Sequence, residues 1–415
     1  MKYIVLVGDG MADFPLEELG GKTPLEVAST PAMDEVCKRG IIGLHSPIPE
    51  GLPPGSDIGN LSLFGYNPRE SFSGRAPLEA ARQGIVLKSN EIAFRCNLVS
   101  LKDGVMHDFT SGHIPTEISK VIVEDVGKEL EKKYPVKFYP GVSYRHLAVV
   151  STDDFEFLDS LQNTDCTPPH DITGRQWEGY LPNGPGAELL VSIMRDSQRL
   201  LPLHPLSKQR ASEGHPEPNS FWLWGQGKTP AMKSYRELFN LSGAVISAVD
   251  LVKGIGILAG LRSIDVPGAT GWLDTNYKGK IETALKALAE VDFVFVHVEA
   301  PDEASHQGRI DLKIRAIEDF DKHIVTPALD YCSRNEDNVR LLVTPDHITA
   351  ISTKTHASGV VPFAVMGAGV EPSGVKKYCE VCAKESGIFY PETYILIKEF
   401  LTNIPFYIRG TRVSS

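Results

Sequence analysis

Short apolar segments alternate with segments of helical periodicity near both ends of the chain. The runs YIVLV (Tyr3–Val7), GIIGLHS, DFVFVHV (Asp292–Val298), NVRLLVT (Asn338–Thr344) and VVPFAVMG are typical of buried strands. A helix is predicted from Pro31 to Arg39, and DLKIRAIEDFDKHIVTPAL has apolar residues at helical spacing. This alternation predicts an α/β fold, with a mainly parallel sheet flanked by helices and built from both ends of the chain.

The middle of the chain has a different pattern, with more turn residues, more His and Arg, and less regular alternation. The stretch RQGIVLKSNEIAFRCNLVSLKDGVMHDF predicts antiparallel strands joined by a turn, and HPLSKQRASEGHPEPNS is typical of a loop. We therefore predict a smaller α+β domain, residues 85–238, inserted into a discontinuous core domain made of residues 1–84 and 239–415.

Composition limits the partners and the compartment. The chain has 415 residues and a net charge of −11, which argues against nucleic acid or an anionic membrane as the main partner. No apolar run approaches the roughly 20 residues of a membrane span, and the first run is too short for a signal peptide, so we expect a cytoplasmic protein.

Six scattered cysteines do not predict a disulfide framework, and the pair Cys379 and Cys382 lacks the further ligands of a zinc site. The oligomeric state stays open.

Metal-ligating side chains lie at the ends of the predicted core strands. They are Asp9, Asp302, His306, Asp346, His347 and His356. Asp302 and His306 lie in the predicted loop after DFVFVHV, and His356 lies just before VVPFAVMG. Each alone is typical of a turn residue or a structural histidine, but the carboxyl ends of parallel strands meet at one edge of a sheet. Carboxylates with imidazoles bind Mn²⁺, Zn²⁺ or Mg²⁺, and this many ligands suits two neighbouring ions, an arrangement used in phosphoryl transfer.

One serine, Ser56, lies in PPGSDIGNLSLFGYNP, directly after Pro-Pro-Gly and before a segment of helical periodicity. It is predicted to cap that helix or to act as a nucleophile at the same metal site, where a bound ion would lower the pKa of its hydroxyl. The two interpretations are compatible.

Several motifs together resemble those of the archaeal-type, cofactor-independent phosphoglycerate mutases of the alkaline phosphatase superfamily. They are GDGMAD, PPGSD, FGYNP, GRAPLEA, FRCNL, GATGWLDTNYKGK, VHVEAPDEASHQG and PDH, in order from Asp9 to beyond the last metal-ligating histidine. The resemblance implies an alkaline-phosphatase-like core in which one ion is held by Asp302, His306 and His356 and the other by Asp9, Ser56, Asp346 and His347. Mn²⁺ is the expected metal, with Mg²⁺, Zn²⁺ or Co²⁺ as alternatives. Ser56 would carry the phosphoryl group between 3- and 2-phosphoglycerate, without 2,3-bisphosphoglycerate.

The resemblance also implies that the inserted domain closes over a small phosphorylated substrate. Phosphate and carboxylate groups favour Arg and Lys donors. The candidate contacts are Arg95, His113, Arg145, Asp171, Lys228 and Lys280. Asp171 is a further candidate for an acid or base, although each of these residues is equally typical of a solvated surface.

Some segments depart from the better-known archaeal pattern. Glu299 replaces a lysine, Ser305 replaces a glycine, and FWLWGQGK differs from the commoner version. These features resemble a bacterial branch for which a homoserine kinase role has been proposed, so transfer to another small alcohol is an alternative. A phosphohydrolase would share the metal site, but a closing domain that excludes water favours transfer. A non-catalytic binding protein would have no use for Ser56 beside a full ligand set.

Overall fold

The computed structural model describes residues 1–402 and 411–412. They form two compact units. The core unit comprises Met1–Phe72 and the chain from Ala231 onward, and the inserted unit comprises Ser73–Pro230.

The strands of the described residues are numbered in chain order. They are β1 (Lys2–Gly8), β2 (Ile41–His45), β3 (Glu91–Lys102), β4 (Val105–Asp108), β5 (Val136–Val142), β6 (Arg145–Ser151), β7 (Ser220–Gly227), β8 (Gly243–Ile246), β9 (Arg262–Ser263), β10 (Phe293–Val298), β11 (Val339–Thr344), β12 (Ile348–Ala350), β13 (Thr355–Ala357), β14 (Val361–Gly367), β15 (Ile388–Tyr390) and β16 (Thr411–Arg412).

The α-helices are numbered in the same way. They are α1 (Pro24–Val27), α2 (Pro31–Arg39), α3 (Ser56–Leu63), α4 (Pro68–Ser71), α5 (Ala76–Arg82), α6 (Thr116–Glu131), α7 (Phe155–Gln162), α8 (Ala187–Leu200), α9 (Pro205–Ser212), α10 (Tyr235–Phe239), α11 (Asp250–Leu258), α12 (Tyr277–Ala287), α13 (Ala300–His306), α14 (Ile310–Phe320), α15 (Thr326–Ser333), α16 (Glu380–Glu385) and α17 (Thr393–Thr402). Within the described residues, no helix combines the length and the apolar character that crossing a bilayer requires.

The core unit is built on a nine-stranded sheet with the order β16-β15-β2-β14-β11-β1-β10-β8-β9. At its centre β1 runs parallel to both β10 and β11, and β10 runs parallel to β8. The central strands are buried along their length, since helices cover both faces of the sheet. Ile4 and Leu6 of β1 belong to the large apolar cluster with α2, α12 and α14, whereas Phe295 on the other face stacks on Phe64 at 4.1 Å. The predicted α/β core is confirmed.

The direction of β14 determines where His356 lies. β14 runs antiparallel to β11 and to β2, so it begins at the edge where the parallel strands end. The residues between β11 and β14 form the β12–β13 hairpin, in which Thr349 pairs with His356. A parallel β14 would have placed His356 at the opposite edge of the sheet.

The inserted unit has an antiparallel sheet of the order β4-β3-β6-β5, with β7 also paired to β3. The antiparallel strands predicted in its first half are confirmed as the β3–β4 hairpin. The prediction of a loop for HPLSKQRASEGHPEPNS is wrong in part, because the first half of this segment forms α9. Pro205 occupies the first turn of α9, and the His204 side chain accepts a hydrogen bond from the Leu206 N–H.

Both boundaries between the units lie before the predicted ones, at Phe72/Ser73 rather than 84/85 and at Pro230/Ala231 rather than 238/239. Helix α5 belongs to the inserted unit because Ala76 packs with Ala93 of its sheet. Residues 231–238 belong to the core unit because Tyr235 packs on Phe293, with ring centroids 4.9 Å apart.

The predicted helix DLKIRAIEDFDKHIVTPAL is confirmed as α14 and α15, which are joined by a π-helical turn, Asp321–Val325. The buried carboxylate of Asp321 accepts hydrogen bonds from the backbone N–H groups of Ala32 (3.1 Å) and Met33 (2.7 Å). These donors lie in the first turn of α2, whose preceding residue Thr30 makes no side-chain cap bond. Asp321 therefore caps α2 from a distant part of the chain.

We expect Asp321→Ala to lower the free energy of unfolding by about 1–3 kcal/mol, because two backbone donors would lose their partner inside the protein. Urea denaturation would measure the change. The control is Glu282→Ala, which removes an exposed ion pair with Lys278 in the middle of α12 and should leave the denaturation midpoint unchanged. Equal losses in the two variants would contradict this role of Asp321.

Candidate metal centre

Carboxylates and imidazoles converge at the edge of the core sheet where β1, β10 and β11 end. They are Asp9 after β1, His297 on β10, Asp302 and His306 on α13, Asp346 and His347 after β11, and His356 on β13. Two groups of these residues have ligand atoms close enough to share one ion. The groups are Asp302 with His347 and His356, and Asp9 with His297 and Asp346. All the ligands predicted from the sequence lie at this edge.

The first group is centred on Asp302. The predicted loop after β10 is instead α13, which holds Asp302 and His306 one helical turn apart on the same face. The Nε2 atoms of His306 and His356 lie 3.1 and 3.4 Å from the Asp302 carboxylate and 3.1 Å from each other. The Nδ1 of His306 lies 2.9 Å from the Lys354 carbonyl. When His306 donates this bond as a neutral imidazole, its Nε2 presents a lone pair, as metal ligation requires.

The second group is centred on Asp9, which is buried between two imidazoles. His297 Nε2 lies 3.1 Å from Asp9 Oδ2, and His347 Nε2 lies 3.3 Å from Asp9 Oδ1 and 3.4 Å from Asp346 Oδ2. Asp9 Oδ1 is buried without a hydrogen-bond partner. Because an unpaired buried carboxylate oxygen is costly, the residues present fit a cation at this point.

Burial sets the charge of the centre. Burial and the neighbouring carboxylates raise the pKa of Asp9 well above its usual value. Burial alone would also raise the pKa of Asp302, but hydrogen bonds from two imidazoles hold it well below the usual value. Burial lowers the pKa of His297 to about 4 and also lowers that of His347, which favours neutral imidazoles. The hydrogen bond with Asp302 instead raises the pKa of His306 to about 9. Because metal ligands must be deprotonated, a divalent cation would displace protons from Asp9 and His306 when it binds.

Ser56 is the first residue of α3 and follows Gly55 in extended backbone. Its side chain makes no helix-capping bond, so the capping interpretation is wrong. The hydroxyl oxygen instead lies 3.0 Å from His347 Nε2, which belongs to the first group and also lies 3.3 Å from Asp9 Oδ1 of the second. Ser56 thus lies where a nucleophile for this centre is expected.

The start of α3 is held against the second group. The Asn60 side-chain amide donates to the Ser56 carbonyl at 2.8 Å and to Asp346 Oδ2 at 2.7 Å. A Cβ at Gly59 would lie 2.3 Å from the Asp346 carbonyl oxygen, so only glycine permits this close approach.

A buried lysine supports two of the ligand loops. Lys313 Nζ donates to the Ala12 carbonyl (3.1 Å), to Asp13 Oδ2 (2.8 Å) and to the Thr349 carbonyl (2.7 Å). The side chains of Lys313 and Asp13 are fully buried. The loops after β1 and β11 are therefore tied together behind the ligands that they carry.

The sequence reasoning missed His297 and Lys313, although both leave a signal. His297 interrupts the otherwise apolar strand β10 just before its end. Lys313 precedes Ala316, Ile317 and Phe320 at the spacing of the buried face of α14, where an apolar residue is expected. A charged or polar residue at a buried position indicates a partner inside the fold.

Four of the predicted substrate contacts lie near one another on the inserted unit. The guanidinium of Arg95 pairs with Glu79 at 3.0 Å and lies 4.1 Å over the Trp224 ring. Burial and the nearby positive charges of Arg75 and Arg145 lower the pKa of Arg95. Three arginines close to one another are typical of a site for an anion.

Contacts between aromatic rings link the other residues of this surface. His170 lies 5.3 Å from the Trp224 ring centroid and 3.6 Å from the exposed Asp171 carboxylate. His113 packs edge-on against Tyr144 at 6.3 Å, and the Arg145 guanidinium lies over the same tyrosine. We call this surface the arginine face and define it as Arg75, Arg95, His113, Arg145, His170 and Asp171.

The other two predicted contacts lie elsewhere. Lys228 belongs to the inserted unit, where its ammonium pairs with Asp159. Lys280 belongs to the core unit and is fully buried on α12, and its Nζ donates to the His297 carbonyl at 3.2 Å. Burial lowers the pKa of Lys280 to about 8. Lys280 therefore lies behind the second metal group.

Comparisons with known proteins identify the family of the chain. The model of the 2,3-bisphosphoglycerate-independent phosphoglycerate mutase family matches residues 37–207. The mutase of Methanosarcina acetivorans is 49% identical over 389 residues, which are 94% of this chain and 96% of that protein. A probable mutase of Geobacter sulfurreducens is 48% identical over 97% of this chain and 100% of that protein. The chain belongs to the family of 2,3-bisphosphoglycerate-independent phosphoglycerate mutases.

Solved structures support the same assignment. A Pyrococcus horikoshii protein is similar with a TM-score of 0.78 and 28% identity, over 96% of this chain and 97% of that one. The cofactor-independent phosphoglycerate mutase of Thermoplasma acidophilum is similar with a TM-score of 0.64 and 25% identity, over 98% of this chain and 100% of that one.

We expect Lys313→Met to lower the free energy of unfolding by about 3–5 kcal/mol, because the substitution leaves the Asp13 carboxylate buried without its partner. Urea denaturation of the metal-free protein would measure the change. The matched control is the double variant Lys313→Met with Asp13→Leu, which removes both charges and should recover most of the loss. A double variant as unstable as the single one would contradict a charge effect.

Proposed function

We propose that the chain interconverts 3-phosphoglycerate and 2-phosphoglycerate through a phosphorylated Ser56, without 2,3-bisphosphoglycerate. The observation that carries this proposal is the Ser56 hydroxyl 3.0 Å from His347 Nε2, within a cluster of buried carboxylates and imidazoles. A hydroxyl among ligands of this type is the arrangement of a metal-activated nucleophile. Membership of the mutase family supports the choice of substrate.

The proposed centre holds two divalent ions, with Mn²⁺ as the first choice and Mg²⁺, Zn²⁺ or Co²⁺ as alternatives. The first ion is assigned to Asp302, His306 and His356. The second is assigned to Asp9, Ser56, Asp346 and His347, with His297 as a further donor. When bound, the ions supply Lewis-acid stabilisation of the phosphoryl oxygens and lower the pKa of the serine hydroxyl.

The chemistry is a double transfer. Ser56 Oγ forms a bond to the phosphorus of 3-phosphoglycerate while the bond from phosphorus to the C3 oxygen breaks. The serine loses its hydroxyl proton, and the C3 oxygen takes up a proton. The C2 oxygen then loses its proton as it bonds to the phosphorus, and Ser56 regains one as it leaves. Neither step consumes water, so water must be kept from the phosphoserine.

The arginine face is proposed to bind the negative groups of the same small substrate. Its guanidinium groups offer paired N–H donors that match carboxylate and phosphate oxygens. Arg145 is the most exposed of the predicted arginines, whereas Arg95 is already engaged by Glu79. We therefore assign a direct contact to Arg145 and a supporting role to Arg95.

³¹P NMR tests the reaction. With 3-phosphoglycerate, Mn²⁺ and no bisphosphoglycerate, we expect a 2-phosphoglycerate signal that EDTA abolishes. Inorganic phosphate alone would indicate a hydrolase. If no new signal appears although the protein binds two ions, the mutase proposal fails, and homoserine with a phosphate donor is the next pair to test.

The variant Ser56→Ala tests the nucleophile. We expect turnover to fall by at least about 10³-fold, as is usual on removal of a covalent nucleophile, because no phosphoserine can form. The same NMR assay measures the loss, and circular dichroism checks the fold. Turnover within tenfold of the wild type (about 1.4 kcal/mol) would contradict the covalent route.

Arg145→Gln tests the arginine face. We expect kcat/KM to fall roughly 10- to 100-fold, since one set of charge-assisted hydrogen bonds is worth about 1.5–3 kcal/mol. The matched control is Lys132→Gln, an exposed residue of the same unit whose ammonium pairs with Glu129. Steady-state kinetics would distinguish the two variants, and equal effects would contradict a specific contact.

A further inference from the structure

Thr349 lies beside Asp302 and His347, two members of the first metal group. It is fully buried on β12, directly opposite His356 of β13. Its hydroxyl oxygen lies 2.6 Å from Asp302 Oδ1 in the first group and 3.0 Å from His347 Nδ1. His347 Nε2 also lies 3.3 Å from Asp9 Oδ1 of the second group, and the proposed assignment gives Asp302 to the first ion and His347 to the second. Under that assignment, one hydroxyl contacts a ligand of each ion.

The direction of these two hydrogen bonds follows from which of the three groups carries a proton to donate. A threonine hydroxyl has one proton, and an ionised carboxylate only accepts. Thr349 must therefore donate to Asp302, and its oxygen accepts from the Nδ1–H of His347. A neutral His347 then has its proton on Nδ1, so its Nε2 presents a lone pair toward Ser56 and Asp9.

The rest of the fold holds Thr349 in this position. Lys313 donates to the Thr349 carbonyl at 2.7 Å, which fixes the backbone of β12. Gly10 has a φ of +60°, and a Cβ there would lie 2.5 Å from the Thr349 hydroxyl oxygen. Glycine at position 10 therefore leaves room for the hydroxyl as well as adopting a left-handed backbone.

We propose that Thr349 is the positioning residue that couples the ligands of the two proposed ions, by orienting Asp302 and by selecting the His347 tautomer whose Nε2 can bind an ion. This inference rests on the proposed two-ion centre and deepens it. Thr349 contacts ligands and not the substrate, so it acts through them. Partners of this kind orient ligands and typically contribute 10- to 100-fold to metal affinity.

Mn²⁺ titration of the purified full-length protein tests the proposal, with free Mn²⁺ measured by electron paramagnetic resonance. Thr349→Val removes the hydroxyl and keeps the shape, whereas Thr349→Ser keeps the hydroxyl. We expect Thr349→Val to weaken Mn²⁺ binding about 10- to 100-fold, and Thr349→Ser to bind within about threefold of the wild type. Binding by Thr349→Val at the wild-type affinity would overturn the proposal.

A second readout is the His347 ring in the metal-free protein. In ¹⁵N spectra of histidine-labelled protein, we expect wild type and Thr349→Ser to show an unprotonated Nε2, and Thr349→Val to show a mixture of tautomers. His347→Asn identifies the signal. An unchanged tautomer in Thr349→Val would overturn the inference. A Thr349→Ser variant that loses as much Mn²⁺ affinity as Thr349→Val would also overturn it, because altered packing would then explain both losses.

Thr110→Val is the matched control. Thr110 is also buried, and its hydroxyl donates to Asp108 at 2.6 Å, but it lies in the inserted unit. We expect its Mn²⁺ affinity to equal that of the wild type. If Thr349→Val does not fold, Thr349→Ala removes the same hydroxyl with less strain on packing. A folded wild type that binds no Mn²⁺ would overturn the two-ion centre itself and this inference with it, whereas tight wild-type binding with an unaffected Thr349→Val overturns the inference alone.

Discussion

Buried negative charge is the constraint on which the arrangement of the core unit depends. Asp9, Asp302 and Asp346 are almost fully enclosed, and burial of an unpaired carboxylate costs several kcal/mol. Burial lowers the pKa of His297 and His347, so these two imidazoles do not cancel this charge, whereas the hydrogen bond with Asp302 raises the pKa of His306 to about 9. Hydrogen bonds from Thr349 and from the Gly10 N–H compensate in part. The remaining charge is what makes the site suitable for divalent cations.

Local patterns were enough to predict the elements of the core, because apolar periodicity reports which residues a strand or helix buries. Helix α2 was predicted from Pro31 to Arg39 and has those bounds. The direction of β14 is a different kind of property, since it depends on pairing with β11 and β2 rather than on its own residues. That direction is what places His356 among the ligands. Helix α9 was missed because its polar, Pro-flanked sequence has the composition of a loop although it holds the buried Arg210.

The types of ligand could also be predicted, because carboxylates and imidazoles at the ends of strands can be identified from the sequence. The sequence could not predict which atoms of these residues face one another. Thr349 is an ordinary strand residue in the sequence, and only the β12–β13 hairpin places its hydroxyl between Asp302 and His347. The arginine face shows the same limit. Arg95 and Arg145 were named from their motifs, whereas Arg75 was recognised only from its charge beside Arg95.

Glu299 changes the charge around the second metal group, where the sequence departs from the archaeal pattern. Its carboxylate adds to the raised pKa of Asp9, so the centre carries more negative charge than it would with a lysine there. Lys280 partly balances this charge, because it is buried nearby and interacts with Glu299. The Lys280 Nζ donates to the His297 carbonyl, so this cation is held directly behind the second group. Glu299 and Lys280 therefore act on the second metal group through charge, because neither belongs to the two groups of candidate ligands.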